Sequence, residues 1–121
     1  MNPIDQVTEQ LGLTAQERAF VEETLNKAAG LAEAAGYRLD DQARLALGAH
    51  LGSLDRRLRT GEKVTGIDAA LFDEVPREFQ QTAVTLLQPI YDRVQQQMDP
   101  IEVGLVALHF GAAKERFELA K

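Results

Sequence analysis

Apolar residues recur along the chain every three or four positions, in stretches broken by glycine, proline and short polar runs, and no stretch shows the strict alternation of a half-buried strand. This spacing predicts helices that pack through one face. A short leader over about 4–11 precedes Thr14-Ala15-Gln16-Glu17, which has capping-box spacing and opens a helix to about 35, where Gly36 supplies a stop. Its apolar positions Phe20, Leu25, Ala28, Leu31, Ala32 and Ala35 form a stripe, and Gly30 within it is expected to allow a close helix crossing. The next helix spans about 40–59, with Asp40 or Asp41 as acidic cap and Gly61 closing it; Leu47, Leu51, Leu54 and Leu58 make a narrow leucine stripe. A polar linker at 60–66 leads to a short helix expected at 67–75, carrying Leu71 and Phe72. Pro76 starts a further helix toward Met98, where Pro89 is expected to kink or split the pattern and Gln95-Gln96-Gln97 reads as a solvated helix end. The last helix, over 99–119, has Asp99 as cap, Pro100 at its first position and Glu102 placed to close a capping box. The expected fold is therefore all-α, a compact bundle of about five helices forming a single domain over 1–121.

Two helices carry an unusual arrangement at the edges of their apolar faces. On a wheel of roughly 100° per residue, Ile101, Leu105, Leu108 and Ala112 share one face of the last helix, while Val106, Phe110, Ala113 and Phe117 share another. Both faces are expected to be buried. Glu102, His109 and Arg116 lie between them, each seven residues from the next. His50 and Arg57 occupy a matching edge of the leucine stripe, again seven apart. Seven residues is two turns, roughly 10.5 Å of rise, so contacts must form between helices, for example Arg57 with Glu102. Charged groups beside a core need partners or a function.

Composition narrows the chemistry. The 121 residues suffice for one core without metal or disulfide staples, and the absence of cysteine excludes thiolate zinc sites and thiol catalysis. A net charge of −6 argues against direct nucleic-acid binding, the one dense basic cluster being the short Arg56-Arg57-Leu58-Arg59. The first residues lack the basic and apolar regions of a signal peptide, and no apolar run approaches the roughly 20 residues of a membrane span, so the expected setting is cytoplasmic, away from the membrane.

Three kinds of site can use a histidine pair. Metal binding would need spacings such as His-x-x-x-His or Glu-x-x-His, which are missing around His50 and His109; no metal or other cofactor is expected. A hydrolase would need a nucleophile, yet the nearby Ser53 has no glycine elbow, and the chain is not expected to be an enzyme. The third kind uses histidine itself as the nucleophile, taking a phosphoryl group that a nearby arginine can hold. Against all three stands a plain packing role for each imidazole.

The segment Gly48-Ala49-His50-Leu51-Gly52-Ser53-Leu54-Asp55-Arg56-Arg57, continuing to Gly61, resembles the first signature of the phosphotransferase-system regulation domain (PRD), a histidine followed seven residues later by arginine. Glu102-Val103-Gly104-Leu105-Val106-Ala107-Leu108-His109 resembles its second, a glutamate, a glycine two residues on, an aliphatic run and a histidine. The resemblance covers about 45–117 and implies a helical bundle that commonly forms homodimers. It also implies phosphorylation of His50 and His109 by HPr or an enzyme IIB component, with Arg57 and Glu102 in supporting positions. Arg116 continues the ladder as a further supporting cation. Ala49 stands where larger members often carry an acidic residue. Members of this kind regulate transcription, usually through an attached nucleic-acid-binding module; a short stand-alone member would act through a separate regulator protein. The competing expectation is a helical dimerisation or interaction module with the same fold that is never phosphorylated.

Overall fold

The computed structural model describes residues 2–121, and the elements in chain order are α1 (Pro3–Leu11), α2 (Ala15–Ala34), α3 (Asp41–Thr60), a 3-10 turn (Ala69–Phe72), α4 (Arg77–Arg93) and α5 (Pro100–Leu119). The fold is all-α, with no strand among the described residues. Local chemistry accounts for the starts. Asn2 Oδ1 accepts from Asp5 N–H and Pro3 follows in the first turn of α1. Thr14 and Glu17 form a reciprocal capping box at α2, each side chain accepting from the other's backbone N–H at 3.1 and 2.9 Å. Of the two candidate caps for α3 it is Asp40 that serves, through Ala43 N–H at 2.7 Å.

Helices α3, α4 and α5 form the framework, with α5 packed on both α4 and α3, and α1 and α2 closing over α3. Leu47, Leu51 and Leu54 of the leucine stripe are buried, as are Val21, Leu87, Tyr91, Val106 and Phe110 from the facing helices. Among the described residues no helix is long and apolar enough to cross a membrane.

Outside the histidine site the structure departs from the sequence-based expectation in five places. The helix expected at 67–75 is only the 3-10 turn, capped by Asp68, and its two apolar residues part company: Phe72 is buried while Leu71 is 70% exposed. Helix α4 stops at Arg93 rather than near Met98, because Gln95 takes a left-handed conformation (φ 56°) and Gln96 N–H reaches back to Tyr91 O, the closing bond of a Schellman-type end. Pro89 does not split α4; both it and Thr85, whose carbonyl loses its donor, lie on the exposed side, where water can serve instead. Gly30 supports no crossing within the chain, since a Cβ built there meets nothing within 4 Å. Finally, only one of the two apolar faces of α5 is core: Val106, Phe110 and Ala113 are buried, whereas Leu108 is 48% exposed and Ala112 is exposed.

Gly104 explains how the 3-10 turn is fastened. A Cβ at this position would lie 2.2 to 2.7 Å from ring atoms of Phe72, so the ring rests directly on the α5 backbone. Gly104→Ala is expected to lower stability by about 1–3 kcal/mol, overpacking outweighing the gain in helix propensity of about 1 kcal/mol. Gly30→Ala, with open space around it, should instead raise stability by about 0.5–1 kcal/mol. Urea denaturation of both variants checks the contrast, and a similar gain from each would mean that Phe72 does not seat on Gly104.

A histidine pair over a buried ion pair

Helices α3 and α5 bring four of the five candidate residues together. Glu102, in the first turn of α5, is 2% exposed. Its carboxylate does not turn back to close a capping box: the α5 cap is Asp99 alone, through Ile101 N–H at 2.9 Å. Instead it reaches across to α3, where Arg57 donates from Nε to Oε2 at 2.9 Å and from Nη2 to Oε1 at 3.1 Å. The planar guanidinium fork matches a carboxylate in this two-bond geometry, which fixes orientation as well as distance. His50, two turns before Arg57 on the same face, places Nε2 3.1 Å from Glu102 Oε1. That nitrogen is enclosed, and the close contact is not an aligned hydrogen bond. Burial alone would push the Glu102 carboxyl up, but His50 and Arg57 together outweigh it and hold the group below the usual glutamate range.

His109 lies two turns further along α5, its ring centroid 5.6 Å from that of His50 and tilted by 46°. The side chain is half-buried. Burial, then the neighbouring His50 and the positive charge of Arg116, lowers its pKa from 6.5 to about 4, so the imidazole is neutral at physiological pH. Arg116 itself is occupied elsewhere. It donates from Nε and Nη2 to the two carboxylate oxygens of Asp40 at 3.1 and 3.3 Å, which keeps the Asp40 carboxyl low and ties the end of α5 to the start of α3.

Three participants escaped the sequence reading. Tyr91 of α4 is buried beside Glu102, and burial followed by that negative charge pushes its hydroxyl up to about 12. Asp40, assigned only as a helix cap, also holds Arg116. Glu17, assigned only to a capping box, is buried and receives Arg56 from Nε at 2.9 Å together with Arg59. Arg56 and then the Thr14 N–H, with Arg59 adding to them, outweigh the desolvation and hold Glu17 far below the ordinary carboxylate range. The basic cluster thus divides its charges, Arg56 and Arg59 turning to α2 and Arg57 to α5. The double role of each carboxylate depends on which helix passes nearby, a matter of tertiary arrangement. Among the described residues no group of three or more His, Asp or Glu side chains is placed to hold a metal ion.

No family model and no curated protein matches the chain. Among solved structures, the chain is similar to a PRD-containing transcription regulator from Lactobacillus casei ATCC 334, with a TM-score of 0.74 and 22% identity over 93% of this chain and 95% of that one. The fold is therefore PRD-like.

The buried ion pair and the depressed histidine each have a measurable consequence. Arg57→Ala leaves the Glu102 carboxylate enclosed without its main counter-ion and should cost about 3–5 kcal/mol, while the double replacement R57M/E102L should recover much of that loss in a urea titration. Because the His109 pKa is lower in the folded protein than in the unfolded chain, the unfolded state binds the extra proton first. Stability from this residue is present above about pH 6.5 and is lost as the pH falls toward about 4. A His109→Leu variant should show a flatter stability profile across that window.

Proposed function

We propose that this chain is a regulatory domain, not an enzyme, that is reversibly phosphorylated on His109 by a component of the sugar phosphotransferase system, HPr or an enzyme IIB. The reading places it in the cytoplasm, where it acts on transcription or metabolism through a homodimer or a separate regulator protein. The observation that carries it is the pairing of two imidazoles, 5.6 Å apart, above a buried carboxylate and beside two arginines on facing helices. The PRD-like fold supports the same reading.

The two histidines differ in fitness as acceptors. A phosphoacceptor needs a free lone pair on an accessible ring nitrogen. His109 is neutral and half-buried, whereas Nε2 of His50 is enclosed against Glu102. His109 is thus the primary acceptor. His50 has a supporting role, and taken alone it favours the competing reading of an interaction module whose histidines only pack.

The consequence of transfer is electrostatic. A phosphoryl group adds close to two negative charges at neutral pH. On His109 it would sit against the His50 ring and within the field of Arg116, whose guanidinium is now held by Asp40. Competition for that guanidinium loosens the Asp40–Arg116 tie between α3 and α5 and biases the packing of the two helices, the local event from which a changed partner surface can follow.

Incubation with phosphoenolpyruvate, enzyme I and HPr, and separately with a phosphorylated enzyme IIB, followed by intact-mass measurement under alkaline conditions, tests this. The expected product carries one acid-labile phosphoryl group that His109→Ala abolishes and His50→Gln retains. Absence of label from both donors rejects phosphorylation, and label that survives His109→Ala rejects the choice of acceptor.

A further inference from the structure

The second apolar face of α5 borders a groove that opens to solvent beside the 3-10 turn. The groove, about 510 Å³ in volume, runs between α5 and the chain from Leu71 to Phe79. Ala107, Gly111 and Phe79 make its floor, and Leu108 and Leu71, 48% and 70% exposed, stand on its opposite walls. Both walls are held in place. Leu71 belongs to the 3-10 turn that Phe72 anchors on Gly104, and Gln80 Nε2 donates to the carbonyls of Phe72 and Val75 at 3.2 and 2.9 Å. The surface is therefore formed in advance, and a partner need not order it on binding.

The charged residues that line the groove are both acidic. Glu74 and Glu115 line it, both are exposed, and neither has an ion-pair or side-chain hydrogen-bond partner among the described residues. Lys114, the cation nearest the floor at 5.8 Å from the Phe79 ring, is taken up by Glu78 at 3.2 Å.

We propose that this groove is the docking site for an amphipathic helix of another protein, its apolar face seated between Leu71 and Leu108 and its flanking lysines or arginines meeting Glu74 and Glu115. Small-molecule sites combine an apolar wall with several convergent polar groups, and here the lining offers only the two rim carboxylates. An apolar trough between fixed walls suits the helix-in-groove mode, in which residues at every third and fourth position supply the anchors. A second copy of this chain is a poor occupant: a two-fold contact through this face would bring together two grooves whose only charged lining residues are carboxylates, in a chain whose net charge is already −6. The proposal holds whether or not His109 is phosphorylated.

The test uses the full chain and a synthetic helical peptide with leucines at every third and fourth position and lysines on its flanks, beside a glutamate-flanked counterpart, with binding read by fluorescence anisotropy at two salt concentrations. The lysine peptide should bind saturably and more tightly at low salt, and Leu71→Asp or Leu108→Asp should weaken it at least tenfold. The double change E74K/E115K should reverse the preference toward the glutamate peptide. Circular dichroism checks that these surface variants stay folded. Absent or non-saturable binding, equal affinity for the two peptides, or affinity unchanged by Leu71→Asp and Leu108→Asp overturns the proposal. So does a dimer that Leu108→Asp converts to monomers, which would make a second copy the occupant.

Discussion

The forked ion pair between Arg57 and Glu102 is the constraint on which the arrangement of α3 against α5 depends. A carboxylate that is 2% exposed is costly to bury, and only a partner with matched geometry makes it tolerable. Because the two bonds are directional, they fix the register of α3 against α5 more strictly than leucine packing does, since an apolar contact slides at little cost whereas a forked hydrogen bond does not. The two histidines inherit that register. His50 reaches Glu102 and lies against His109 because the arginine two turns along has set the separation of the helices at that level.

Two further arginine–carboxylate contacts between helices repeat the same device at different depths. Glu17 gathers Arg56 and Arg59 to fasten the start of α2 to the end of α3, and Asp40 gathers Arg116 to fasten the start of α3 to the end of α5. The carboxylates involved, Glu17, Asp40 and Glu102, all lie at helix N-terminal ends, where the backbone dipole favours negative charge. The arginines come from the later parts of their helices, Arg57 and Arg59 from the last turn of α3 and Arg116 from the last turn of α5. Charge that stabilises each helix by itself thus also joins the helices, at no further expense in buried unpaired groups. The depth of burial sorts the pairs by consequence. Asp40 and Arg116 are screened by water and contribute little, whereas Glu102 is enclosed and its partner is indispensable.

Helix α5 separates three tasks by angle. One face packs Val106, Phe110 and Ala113 into the core, the edge toward α3 presents Glu102 and His109, and the opposite face leaves Leu108 and Ala112 open beside the 3-10 turn. A helix that is apolar on two faces but buries only one cannot be understood from the core of its own chain. The histidine edge and the open groove belong to one rigid element, so a charge change at the first is carried on the same helix as the second.

Most of the helical architecture was legible in the sequence, because caps and periodicity act over three or four residues and leave their mark in the chain itself. Thr14 with Glu17, Asp40, and Asp99 with Pro100 identified three helix starts without any tertiary information. The heptad separations of His50 from Arg57 and of Glu102 from His109 placed the residues of the site on helix edges, and the need to pair a charge next to a core pointed to Arg57 with Glu102. What local signals could not decide is which of two equivalent apolar faces would be covered. Leu108 and Phe110 look alike as residues on a wheel, and only the passage of α4 along one side of α5 makes one core and the other surface. The same holds for Glu102, which stands where a capping box would need it but turns instead to an arginine 45 residues away in sequence. Capping is a contact the chain can make alone, whereas the ion pair exists only once α3 lies alongside, where the Arg57 fork takes up both carboxylate oxygens.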